Sequence, residues 1–141
     1  MDSTSLVVVV DDEPEIREIL DLILANAGYH VEIIADGVEE NVLGSRIRAR
    51  LFLIDLDVPN GSRLELVRKL NVNDSPYEVI VMAGGRELDR FEEARNLGVI
   101  GCLHKPFSSK KLLGHVESAL ESAARKAKKL AGAGQRDAGI T

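Results

Sequence analysis

Five residues in this sequence have chemistry to offer in combination: Asp11, Asp12, Asp55, Asp57 and Lys105. In "LVVVVDDEPEI" an unbroken apolar run stops at three acids, Asp11, Asp12 and Glu13. In "LFLIDLDVPNG" a second run stops at Asp55, with Asp57 two residues on. In "GCLHKPF" a third stops at Lys105 and Pro106. Two carboxylates about 4 Å apart repel by roughly 4 kcal/mol at an effective dielectric near 20, so such a cluster demands a proton or a cation. Hard oxygen ligands suit Mg²⁺ or Mn²⁺. A divalent cation, an ammonium group and an exposed carboxylate together can hold a phosphoryl group, with the carboxylate as nucleophile and the metal neutralising the transferring oxygens. Taken singly, the same residues read as two helix caps, a turn acid before Pro59 and a surface lysine. Their position at three different strand ends is what points to a site.

The elements that bring them there follow from the hydrophobic pattern. "SLVVVV" is short, β-branched and continuous, as a strand buried on both faces requires. Asp12 is placed to cap a helix with Pro14 in its first turn, and Ile16, Ile19, Leu20, Ile23 and Leu24 keep helical spacing up to Gly28. "HVEIIAD", "RLFLID", "YEVIVM" and "VIGCLH" predict four further strands. Helices are predicted over "VEENVLGSRIRA", with Val38, Val42, Leu43 and Ile47 on one face, over "RLELVRKL", and over "ELDRFEEARNLG". A long final helix begins at a cap on Ser108 or Ser109. Five strands alternating with five helices imply an α/β fold, a doubly wound five-stranded parallel sheet whose carboxyl edge is the binding edge. Asp11, Asp12, Asp55, Ala83, Gly84 and Lys105 stand on that edge.

Composition narrows the field. A chain of 141 residues supports one domain. The single Cys102 excludes an internal disulfide framework and fits a reducing, cytoplasmic setting. No apolar run approaches the roughly 18 residues of a membrane span, and "MDSTS" lacks the layout of a signal peptide. The net charge of −5 divides unevenly, with an acidic body over 1–124 and a basic excess over 125–141. An acidic body argues against direct nucleic-acid binding. The expected organisation is a domain over 1–124 and a basic helical extension with a disordered tail over 125–141. In the last helix Leu113, Val116, Leu120, Ala123, Ala127 and Leu130 keep heptad spacing. Its second half reads as a linker, a pairing surface for a second chain, or a fraying end.

The motifs "VVVVDDEPEIREIL", "LFLIDLDVPNG" followed by "LELV", and "GCLHKPF", in this order, resemble the response-regulator receiver domain of bacterial two-component signalling. The resemblance spans about Leu6 to Ala123 and implies a flavodoxin-like fold. It implies that Asp55 takes a phosphoryl group from a phosphohistidine of a sensor histidine kinase or phosphotransfer protein. Asp12 would ligate Mg²⁺ directly, Asp11 through water, Asp55 through its carboxylate and Asp57 through its backbone carbonyl. Lys105 would contact the phosphoryl oxygens, and the Lys105–Pro106 bond would be cis. An output domain or target protein is implied but unidentified, with no membrane partner.

The sequence departs from the family pattern at three positions. Ala83 stands where a Ser or Thr hydroxyl is usual, Cys102 where an aromatic is usual, and Arg63 where Gly is common. The first two are the switch positions, so phosphorylation chemistry is expected with an altered conformational output. The Asp57 side chain would repel phosphate, position an attacking water, or point to solvent. Cys102 is either a redox-sensitive thiol or a buried, inert one. "GGR", Gly84–Arg86, reads as a loop rather than a P-loop. Two other functions fit parts of the pattern: a phosphorylation-independent interaction module, and a haloacid-dehalogenase-like phosphatase using Asp55 and Asp57.

Overall fold

A computed structural model of the chain describes residues 6–35, 39–58, 63–85 and 89–140, with side chains to 132. Val38, Pro59, Arg86 and the expected start of the fourth helix at Glu87 and Leu88 lie outside the described residues. Strands β1 (Leu6–Val10), β2 (His30–Ile34), β3 (Ala49–Asp55), β4 (Glu78–Ala83) and β5 (Gly101–His104) alternate with helices α1 (Pro14–Asn26), α2 (Glu39–Gly44), α3 (Leu64–Leu70), α4 (Phe91–Asn96) and α5 (Ser109–Ile140). The sheet is parallel throughout, in the order β2-β1-β3-β4-β5. This is the doubly wound five-stranded architecture expected from the sequence.

The twofold period of a strand divides the apolar residues between two cores. Val8, Val10, Phe52, Ile54, Val79 and Val81 face α2, α3 and α4, where they meet Val42, Leu66, Val67, Leu70 and Ala94. Val7, Val9, Leu51, Leu53, Ile80 and Met82 face α1 and α5, where they meet Leu20, Leu24, Leu112, Val116 and Ala119. Both faces of the central strands are therefore covered, which is why they read as continuous apolar runs. Phe52 and Tyr77 pack edge to face, with centroids 5.1 Å apart.

Several local expectations need correction. The N-cap of α1 is Glu13 without a side-chain bond, and Asp12 does not cap it. The Glu13 N–H instead donates to Asp11 Oδ1 at 2.9 Å. The second helix is one turn shorter than its pattern suggests: a 3-10 turn over Ser45–Ile47 follows it, and Ile47 is 87% exposed. The Ser45 hydroxyl donates to the Val42 carbonyl at 2.7 Å, a local bond that competes with continued α-helix. Ser108 is the residue that caps α5, its hydroxyl accepting from Lys111 N–H at 3.0 Å. The buried stripe of α5 is Leu112, Val116, Ala119 and Ala123, so Leu113 and Leu120 flank it and Leu130 is exposed.

The helix stays docked past residue 124. Lys126 Nζ donates to the carbonyls of Val72 at 2.7 Å and Tyr77 at 2.5 Å, and pairs with Glu78 at 3.5 Å. Ser122 Oγ donates to the other Glu78 oxygen at 2.5 Å. The helical backbone then runs on to Ile140, across the stretch expected to be disordered.

Candidate functional site

Register builds the site. Val10 pairs with Ile54 across β1 and β3, so the next residue of each strand, Asp11 and Asp55, lie side by side where the strand order reverses. On the other side Ala83 pairs with His104, which sets Gly84 beside Lys105. A Cβ at Gly84 would lie 2.9 Å from Lys105 Cβ, so only glycine lets β4 run this close to the lysine stem. The Lys105–Pro106 peptide is cis.

Asp11 and Asp55 are both fully buried. Lys105 Nζ lies 2.9 Å from Asp55 Oδ1, 3.4 Å from Asp57 Oδ2 and 3.6 Å from Glu13 Oε1. The Asp57 N–H donates to Asp55 Oδ1 at 2.9 Å. The remaining oxygens, Asp11 Oδ2 and Asp55 Oδ2, have no hydrogen-bond partner. Burial pushes the Asp11 carboxyl from 3.8 up to about 6; the Asp55 charge adds to the rise, while the Glu13 amide and Lys105 oppose it. Burial works to lower the Lys105 pKa, but Asp55, Asp11 and Asp57 outweigh it and hold the ammonium above its usual value.

Carboxylate oxygens of Asp11, Glu13 and Asp55 lie within 4.8 Å of one another, an all-oxygen set of the kind a hard divalent cation takes. The two orphaned buried oxygens are the feature that makes this more than an acidic surface. Asp12 is not in that set. Its carboxylate is paired with Arg63, which enters from the N-terminus of α3. The Asp57 side chain does not point to solvent. Its Oδ2 accepts from Gly84 N–H at 2.8 Å and faces Lys105, so it spans the mouth of the pocket.

Of the residues expected at the site, the fold brings together Asp11, Asp55, Asp57 and Lys105, and it diverts Asp12. Glu13, Gly84 and Arg63 enter without a role having been read for them. The signal for Glu13 was its place in the acidic run. The sequence marks Gly84 only by its place on the binding edge and Arg63 only as a departure from the family pattern, because the contacts that give them roles are long-range. Ala83 is fully buried and has no hydroxyl to offer. Cys102 is partly buried against the first core, its Sγ 3.9 Å from the Phe91 carbonyl, and burial raises its thiol pKa against the opposing charge of Arg95. That environment disfavours the thiolate, as an inert cysteine requires. Beside the pocket an apolar cleft of about 500 Å³ opens between Ile16, Ile19, Leu20 and Phe107, with Lys105 and Asp57 at its edge.

The sequence profile of the response regulator receiver domain matches residues 7–117. The chain belongs to the response-regulator receiver domain family. It is 30% identical over 101 residues to sporulation initiation phosphotransferase F of Bacillus subtilis, covering 72% of this chain and 82% of that protein. It is 28% identical over 120 residues to the transcriptional regulatory protein FixJ of Bradyrhizobium diazoefficiens, covering 85% of this chain and 58% of that one. Among solved structures, the chemotaxis protein CheY4 of Vibrio cholerae superposes with a TM-score of 0.70 at 26% identity, over 82% of this chain and 98% of that one. Membership places this receiver domain among phosphoacceptor signalling modules rather than free-standing enzymes, and sets aside the phosphatase reading. Among the described residues no helix is long and apolar enough to cross a membrane.

Proposed function

We propose that Asp55 accepts a phosphoryl group from a phosphohistidine of a sensor histidine kinase or phosphotransfer protein, in a reaction that uses Mg²⁺ or Mn²⁺. The observation that carries this reading is the Asp55 carboxylate itself: fully buried, one oxygen 2.9 Å from Lys105 Nζ, the other without a partner. In the transfer an Asp55 oxygen attacks phosphorus, the P–N bond to the imidazole breaks, and the electron pair leaves on the imidazole nitrogen. Lys105 takes charge on a phosphoryl oxygen. The Gly84 N–H becomes a second donor once it leaves Asp57. Asp11, Asp55 and Glu13 supply oxygens for the cation, to which the resemblance adds the Asp57 carbonyl; the resemblance also names Asp12, whose carboxylate is paired with Arg63 in this chain. When bound, the cation supplies charge neutralisation for the transferring oxygens.

The apolar cleft beside Lys105 supports a protein as the donor, since its Ile16, Ile19 and Phe107 offer a surface that a small phosphodonor does not need. Such a partner accords with a cytoplasmic setting. The domain expected over residues 1–124 takes in Lys126 as well, and the rest of 125–141 is a basic extension toward an output domain or target. Ala83 and Cys102 remove the hydroxyl and the aromatic through which the family's switch works, so output runs through another surface. The same two residues favour, as a second reading, a docking module that works without phosphorylation.

The test is intact mass after incubation with acetyl phosphate and Mg²⁺. A gain of one phosphoryl group, lost in Asp55→Asn and with EDTA, is the expected result. Partner binding that is indifferent to Asp55→Asn, together with no mass gain, selects the second reading.

A further inference from the structure

The acid pocket contains a cation that the chain itself supplies. Arg63 is only 8% exposed. Its Nη1 lies 3.3 Å from the Val10 carbonyl and 3.4 Å from the Asp55 carbonyl, the last carbonyls of the two strands that frame the pocket. Its Nη2 is paired with the Asp12 carboxylate. A guanidinium stays charged at any working pH and presents its donors as a rigid fork, so it cannot yield its place by losing a proton. To bring Asp12 to a metal, this pair must break and leave a nearly buried guanidinium with two long carbonyl contacts, an unfavourable state for a buried charge. The oxygens that lack partners belong to Asp11 and Asp55, and the acids whose carboxylate oxygens gather within 4.8 Å of one another are Asp11, Glu13 and Asp55, not Asp12.

We propose that Arg63 is a positioning residue that holds Asp12 out of the cation's ligand set, so that this chain takes a divalent cation on Asp11, Glu13 and Asp55 and takes it weakly. Asp12 is 36% exposed at its side chain, so solvent screens part of the effect and the penalty is partial. Position 63 thereby sets how much Mg²⁺ the pocket needs before it is occupied. The inference rests on the phosphoacceptor reading only for the identity of the cation.

The experiment is calorimetric titration of Mg²⁺, and separately Mn²⁺, into the full chain as wild type, Arg63→Gly, Asp12→Asn and the double variant, with thermal melts to confirm folding. Arg63→Gly is expected to tighten binding about ten-fold, equivalent to roughly 1.4 kcal/mol. Asp12→Asn is expected to weaken binding far more in the Arg63→Gly background than in the wild type, because only there is Asp12 released to the cation. Should Arg63→Gly fail to fold, Arg63→Lys keeps the charge without the fork and is expected to tighten binding to a smaller degree. An unchanged Kd in the folded Arg63 variant overturns the proposal. So does an equal loss on Asp12→Asn in both backgrounds, which would make Asp12 a ligand regardless of Arg63. Binding in none of the four proteins overturns it together with the metal part of the phosphoacceptor reading. Binding that follows the expected pattern, without phosphoryl uptake, sinks that reading and leaves the Arg63 inference standing.

Discussion

The two ends of the sheet both bury charge, and they treat it in opposite ways. At the amino edge, Glu78 receives Ser122 and Lys126, and Lys126 also satisfies two carbonyls. At the carboxyl edge, Asp11, Glu13, Asp55 and Asp57 face one lysine, with Asp12 and Arg63 paired beside them, and two buried oxygens have no partner. A satisfied buried pair holds structure together, whereas an unsatisfied one is held in place by the rest of the fold and is available for chemistry. Burial of a carboxylate therefore does not mark a site; missing partners do.

The contrast yields predictions of decreasing size. Asp55→Asn should abolish phosphoryl uptake in the intact-mass assay while leaving the fold intact, since the charge it removes is already crowded. Residual uptake would relocate the acceptor. At the other edge, Lys126→Met should leave uptake unchanged and lower stability by about 1–2 kcal/mol, because Glu78 keeps Ser122 but loses its charge partner and the Val72 and Tyr77 carbonyls keep only Ser75. Chemical denaturation reads this, and a loss below about 0.5 kcal/mol would show that water replaces the lysine and erase the contrast. In metal-free protein, Asp11→Asn should raise stability by about 1–2 kcal/mol, because a neutral amide relieves the burial and repulsion that push the Asp11 carboxyl to about 6. A drop instead would mean that the acid pocket is as well satisfied as the amino edge.

The smallest effect concerns Cys102. Its raised pKa shifts the thiolate fraction to higher pH, so iodoacetamide should modify it more slowly at pH 8 than it modifies a free cysteine, with the rate profile displaced upward in pH. Faster modification would make the thiol a reactive group beside the site.

Much of this protein is legible along the chain. The β-branched runs, the acids that end them, Lys105 with Pro106, and the alternation with helical patterns all depend on neighbours within a few residues. They suffice for the sheet, for the edge that carries the site and for four of its members. Local pattern failed where two local choices compete, as at Ser45, whose hydroxyl bond ends α2 early, and on α5, where the sheet selected Leu112 and Ala119 over their neighbours. The identity of the cation's ligands belongs to the folded molecule. Asp11 and Asp12 are adjacent and chemically identical, yet one turns into the pocket and the other to Arg63, 51 residues away. The turn after β1 points successive side chains in different directions, and a guanidinium arriving from α3 supplies a partner for only one of them. That division rests on a contact between segments far apart in sequence, which spacing along the chain cannot encode.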